Sequence, residues 1–161
     1  MAVVVSDTSP LRCLSHLHLL DILPRLFGTV LIPPAVADEL RAPGQGTPPL
    51  DLAVIPFCQV RVPGDVELVQ RLAKRLHLGE SEALALAVEV KPDVVLIDEK
   101  TGRAVAKELG LVPLGVLGAL VQAKRAGLIV AVAPLVTTLR LELDFRVSTE
   151  VERRILDLAG E

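Results

Sequence analysis

The chain has 161 residues and a formal net charge of −3, from 17 Lys and Arg against 20 Asp and Glu, and 51% of it is hydrophobic. That length and apolar content suit one domain spanning residues 1–161, with a substantial core, and exclude a disordered chain. With no Trp, no Tyr and only Phe27, Phe57 and Phe145, an aromatic platform for single-stranded nucleic acid is not expected, and the acidic balance at face value argues against any nucleic-acid partner.

Val3 to Val5 form a β-branched run that stops at Ser6-Asp7-Thr8-Ser9-Pro10, and Pro10 after Ser9 predicts a helix start. Leu11, Leu14, Leu17 and His18 recur at helical spacing, and Asp21–Phe27 continues as a second short helix. Thr29–Ile32 reads as a strand closed by Pro33-Pro34, from which a helix runs to about Arg41. Ala42–Pro49 is a loop by composition and is expected to be the most mobile part of the chain. Phe57–Val62 alternates like an edge strand, Asp65 caps a helix to about Leu76, and Gly79–Val90 carries the next helix. VVLID, residues 94–98, is a continuous apolar strand of the kind buried in a parallel sheet. A helix over 101–109, a short strand near 112–114, and helices from Gly115 to Ala126, over 131–141 and over 149–159 complete the pattern, the last with a Thr149/Glu152 capping box. Strands alternating with helices predict an α/β fold, a three-layer sandwich with a central, mainly parallel sheet flanked by helices.

Several chemistries drop out. There is no GxxxxGK[ST] phosphate loop and no GxGxxG after the first strand. His16 and His18 lie in an apolar helix and His77 near a helix end, so a Ser-His-Asp site is not indicated. Cys13 and Cys58 are too few and too far apart for a metal knuckle or a disulfide scaffold and read as reduced thiols. No apolar run reaches the roughly 20 residues of a membrane span, and MAVVVSDTSP lacks the basic region of a signal peptide, so a soluble, cytoplasmic protein without membrane contact is expected.

What remains is a pattern of acids at element ends. Asp7 follows the first strand and Asp98 ends the strand VVLI, and ligands of open α/β sheets gather beyond the carboxyl ends of strands. Glu39 borders the buried stripe of the helix after the second strand, while Glu82 begins an otherwise almost wholly apolar helix, whose packing on most faces points a carboxylate there into a cleft; the helix macrodipole is the ordinary explanation for Glu80 and Glu82. Singly, each acid has an ordinary structural explanation: Asp7 as a helix cap, Glu39 as surface, Glu82 as a helix-start charge, Asp98 as a turn residue. Converging without countercharge, they would repel and protonate unless a hard divalent cation neutralised them, and Mg²⁺ or Mn²⁺ held by carboxylates suits phosphodiester hydrolysis.

Over most of its length the chain resembles the PIN-domain nucleases, the fold of VapC-type toxin ribonucleases of prokaryotic toxin–antitoxin systems. VVVSDTSPL resembles the family's first strand and motif, which makes Asp7 a metal ligand with Thr8 or Ser9 as a supporting hydroxyl. IPPAVADEL is similar to the second motif, with its acid at Glu39; LGESEALALA resembles the third and selects Glu82 rather than Glu80; LIDEKTGRAVA resembles the fourth, with Asp98 as ligand, Glu99 as a supporting acid and Arg103 placed to contact substrate phosphate. GVLGALVQAKRAGLI and the closing FRVS…ILDLAGE resemble the C-terminal region of one branch of these proteins. The resemblance implies a Mg²⁺- or Mn²⁺-dependent ribonuclease that uses Asp7, Glu39, Glu82 and Asp98 for in-line attack by an activated water. It also implies a homodimer and a cognate antitoxin protein. The alternative is a non-catalytic PIN-like module that binds RNA or protein and whose acids merely cap helices. With the four acids set aside as metal-neutralised, 16 acids face 17 bases, so net charge no longer speaks against RNA. Phosphate contacts by residues such as Arg71, Lys74, Arg75 and Arg103 are then expected to outweigh base stacking.

Overall fold

The computed structural model describes residues 2–161. Its strands are β1 (Val3–Ser6), β2 (Thr29–Ile32), β3 (Cys58–Val60), β4 (Val94–Leu96) and β5 (Pro113–Leu114). Its α-helices are α1 (Thr8–His16), α2 (Ile22–Leu26), α3 (Pro34–Arg41), α4 (Val66–Leu72), α5 (Leu78–Val90), α6 (Lys100–Glu108), α7 (Val116–Arg125), α8 (Ala133–Leu143) and α9 (Thr149–Leu158). The five strands form one sheet in the order β3-β2-β1-β4-β5, and every pairing is parallel. From β1 the chain winds outward through β2 to β3, then returns to the other side of β1 with β4 and β5. The winding therefore reverses between β1 and β4, the place where such sheets open a crevice at their carboxyl ends.

Successive side chains of a strand point to opposite faces, and the sheet separates two cores on that rule. Val4, Val30, Ile32 and Leu96 join the core formed with α1, α2, α3, α7 and α8, whereas Val5, Leu31, Val95 and Ile97 join the core formed with α4, α5 and α6. Helices on both faces make the three-layer α/β sandwich expected from the alternation of elements. Leu14, Ile32, Leu84, Leu96 and Ile97 are all 0% exposed, and burying each such side chain contributes roughly 1.5–3 kcal/mol. No helix among the described residues is long and apolar enough to cross a membrane.

The structure departs from the sequence expectations mainly at element ends. α1 begins at Thr8 rather than after Ser9, with Asp7 at the N-cap position and Pro10 inside the first turn, where its missing N–H has no intrahelical partner to lose. The last helix is capped by Ser148, whose Oγ accepts from the Val151 N–H at 3.1 Å, and not by Thr149; Glu152 instead pairs with Arg140 at 2.5 Å. The loop that follows α3 receives hydrogen bonds from α1: Arg12 donates to Thr47 Oγ1 at 3.2 Å and to Ala42 O at 2.9 Å, and also to Glu39 O in the last turn of α3. Cys13 is buried, Cys58 is half-buried, and burial pushes both thiols up to about 12, as suits unreactive thiols.

α8 is anchored from the far end of the chain. The Glu161 carboxylate accepts from the N–H groups of Val132 at 2.7 Å and Ala133 at 3.0 Å and from Lys124 Nζ at 2.9 Å, so it caps the helix start. These donors hold its carboxyl at about 2 against an ordinary 4.5. Its contribution is complete above the ordinary value and is lost as the pH falls through about 2. Glu161→Ala is therefore expected to lower stability at neutral pH. Urea melts at about pH 7 and about pH 3 should show a gap from the parent protein that narrows at the lower pH.

Candidate active site

At the switch point the chain builds a cleft of about 640 Å³. The hydrogen bond from Asp7 N–H to Leu96 O, 2.9 Å, extends the β1–β4 pairing one step past the strands and fixes Asp7 at the head of the crevice. Asp98 follows β4 at the neighbouring strand end. Glu39 arrives from α3, Glu80 from the first turn of α5, and Glu99 from the N-cap position of α6, so five carboxylates carried by different elements line one cavity. The Asp7 side chain makes no capping bond to α1, which removes the ordinary structural explanation for it.

Neighbouring donors aim these carboxylates. Thr8 Oγ1 donates to Glu39 Oε2 at 2.5 Å, and Ser9 Oγ donates to Asp98 Oδ2 at 3.3 Å, so the hydroxyls after Asp7 steady two other acids. The Val116 N–H, at the start of α7, donates to Asp98 Oδ1 at 2.8 Å. The His77 N–H donates to Glu80 Oε1 at 3.3 Å, half of a capping box, while Glu80 Oε2 is buried with no hydrogen-bond partner. Glycines make the room. A Cβ on Gly79 would lie 2.6 Å from Glu39 Oε1, one on Gly102 would lie 2.7 Å from Glu80 Oε2, and one on Gly115 would lie 2.9 Å from Asp98 Oδ1. Three of the acids are thus seated against bare backbone that any larger residue would fill.

Burial and mutual repulsion dominate the electrostatics. Burial raises the Asp7 carboxyl from 3.8 to about 7, opposed by the adjacent Thr8 N–H and reinforced by the charges of Glu80, Glu39 and Asp98. Glu80 is raised by burial, with Glu99 and Glu39 adding to the rise and the His77 N–H opposing it. Asp98 is also raised by burial, against the lowering effects of the Val116 N–H, the Ser9 hydroxyl and the Arg103 charge. A cluster of oxygen donors short of positive charge, with one buried carboxylate oxygen unpartnered, fits a hard divalent cation. Among the described residues no three His, Cys, Asp or Glu side chains are preassembled around one ion position. Mg²⁺ fits such an arrangement because it keeps several waters and takes only one or two protein carboxylates directly.

The structure brings Asp7, Glu39 and Asp98 together, with Thr8, Ser9 and Glu99 beside them. It does not bring Glu82 or Arg103 into the cleft lining. Glu82 Oε1 accepts from the Ala35 N–H at 3.3 Å and so caps the start of α3. Two helical residues span about 200° of rotation, so Glu80 and Glu82 face opposite ways and only one can enter the cleft. The apolar periodicity of α5 did not discriminate, because the helix is buried nearly all round, with Ala83, Leu84, Ala85, Leu86 and Ala87 at 0–1% exposure. The available signal was the spacing of Glu80 three residues after His77, the position that reaches back to an N-cap N–H. Arg103 turns inward, donating to Ile97 O at 3.2 Å. Sequence reasoning also missed His77, Arg12, Phe145 and Arg146, all of which line the cleft.

The raised Asp7 pKa sets a pH dependence. The protonated form is favoured in the folded state, so this stability is fully present below 3.8, the ordinary value, and is lost as the pH rises through about 7. The shift corresponds to something on the order of 4 kcal/mol. With a chelator present, the protein is expected to melt at a higher temperature at about pH 5 than at about pH 8, and Asp7→Asn should flatten most of that slope and exceed the parent at the higher pH. Calorimetric scans across this range check it.

The geometry agrees with comparison to known proteins. No curated protein matches the chain. A family model described as a PIN domain (DUF3368) matches residues 3–161, nearly the whole length. The parallel sheet with its acids at the β1–β4 switch point, joined to that match, establishes that the chain belongs to the PIN-domain family.

Proposed function

We propose that the chain is a metal-dependent ribonuclease that hydrolyses RNA phosphodiesters and serves as the toxin of a toxin–antitoxin pair. The observation that carries the reading is the convergence of Asp7, Glu39, Glu80, Asp98 and Glu99 on one cleft, three of them with raised pKa values and one with an unpartnered buried oxygen. One or two of Asp7, Glu39, Glu80 and Asp98 would hold Mg²⁺ or Mn²⁺ directly and the others through its waters, with Glu80 in the place the resemblance gives to Glu82. Such an ion supplies Lewis-acid stabilisation of charge on a phosphoryl group and acidifies water.

The chain's own residues do the rest. Thr8 fixes the rotamer of Glu39, and Ser9 and the Val116 N–H fix that of Asp98, so the acids meet a ligand already oriented. Glu99, exposed at the rim, is free to accept a proton from an attacking water. Glu82, by capping α3, stabilises the helix that delivers Glu39 and acts only through that helix. A cognate antitoxin would cover the cleft, and a homodimer is the expected assembly. The non-catalytic alternative draws on the absence of a preassembled three-acid site among the described residues. It requires that divalent metal leave the melting temperature unchanged, whereas an ion held by the folded state alone raises it.

Purified protein is expected to cleave RNA with Mn²⁺ or Mg²⁺ and to stop on addition of EDTA. Asp7→Asn and Glu80→Gln should each lower the rate by about a hundredfold or more, and Glu82→Gln by no more than about threefold. Equal loss in the two glutamate variants, or full activity in Asp7→Asn, would overturn the assignment.

A further inference from the structure

The cleft has an acidic floor, and an RNA phosphate reaching it needs positive charge on the way in. One wall supplies it. α8 ends at Leu143, Asp144 adopts a left-handed conformation with φ 52°, and the Phe145 N–H returns to Leu139 O at 3.1 Å. This turn places Phe145 and Arg146 side by side on the cleft lining. Phe145 is half-buried, with part of its ring packed on the larger core. Arg146 is exposed and, among the described residues, has no hydrogen bond or ion pair. The other arginine in the lining, Arg12, is committed to Thr47, Ala42 O and Glu39 O. Arg71 and Lys74 lie outside the cleft lining, and Arg75 is paired with Glu108 at 2.9 Å.

We propose that Phe145 and Arg146 clamp unpaired, single-stranded RNA at the mouth of the cleft. The Arg146 guanidinium takes a phosphate next to the scissile one, through the fork geometry that suits phosphate oxygens. The Phe145 ring receives the face of one base, which only an unpaired nucleotide can offer, since a duplex keeps its base faces stacked. One aromatic beside one cation replaces the platform that the composition excludes. The inference rests on the ribonuclease reading and names its substrate form and two positioning residues.

The test is equilibrium binding of a fluorescent single-stranded RNA of mixed sequence, and of a hairpin duplex, to the full chain carrying Asp7→Asn, over a salt series. Adding Arg146→Ala should weaken single-strand binding about five- to tenfold and reduce the log–log salt slope by about 0.7, the share of one phosphate. Arg146→Lys should keep the slope and lose part of the affinity. Phe145→Leu, which keeps the apolar packing, should weaken single-strand binding about fivefold or more with the slope unchanged and the duplex unaffected. Lys74→Ala should match the parent. Single-strand binding that is unaltered in Arg146→Ala and Phe145→Leu, or absent in the parent, would overturn the clamp. Cleavage assays separate it from the catalytic reading. With Asp7 restored, Arg146→Ala should raise KM by more than it lowers kcat. Normal cleavage by that variant removes the clamp and leaves the nuclease, while clamp-dependent binding without any cleavage by the parent removes the nuclease and leaves the clamp.

Discussion

Everything in this fold that bears on chemistry follows from forcing carboxylates together at the carboxyl end of a buried parallel sheet. Asp7 is placed there by the β1–β4 pairing itself, through a backbone hydrogen bond to Leu96 O that continues the ladder whatever the side chains are, and Asp98 follows the end of the neighbouring β4. Burial and repulsion then raise the Asp7 carboxyl to about 7. The cluster is a store of unfavourable charge that a divalent cation can discharge, and the surrounding donors and glycines make sense as means of keeping the acids aimed despite that cost.

The fold was legible because its signals are redundant. β1 and β4 read as apolar runs ended by acids, and the alternation of strands with helices admits few arrangements besides a doubly covered parallel sheet. The errors fell where two local rules competed. Pro10 marks a helix start in isolation, yet the helix begins two residues earlier because the ladder ends at Asp7. Ser148 and Thr149 are equivalent caps by residue type, and only the backbone turn selects the serine.

The site was legible in its acids and opaque in its walls. Asp7 and Asp98 follow strand ends and Glu39 borders the buried stripe of α3, where sequence alone locates them, but the choice between Glu80 and Glu82 depends on the rotation of a helix buried nearly all round. Phe145 and Arg146 open the FRVS segment, whose resemblance to one branch of the family assigns neither of them a role. They reach the cleft through a left-handed residue after α8, and α8 is held in place by Glu161 at its other end. Long-range placement of that kind leaves no periodic trace. The charge balance reads differently too: the acidic excess that at face value argues against nucleic acid is concentrated at the place proposed to act on it.

The most direct test of the central claim is Mn²⁺ binding measured by titration calorimetry in buffers of different ionisation enthalpy. If the ion discharges the carboxylate cluster, binding at about pH 6 should release close to one proton, taken from Asp7, and the release should vanish by about pH 8.5 and in Asp7→Asn. Binding without proton release at the lower pH, or no binding at all, would contradict the account.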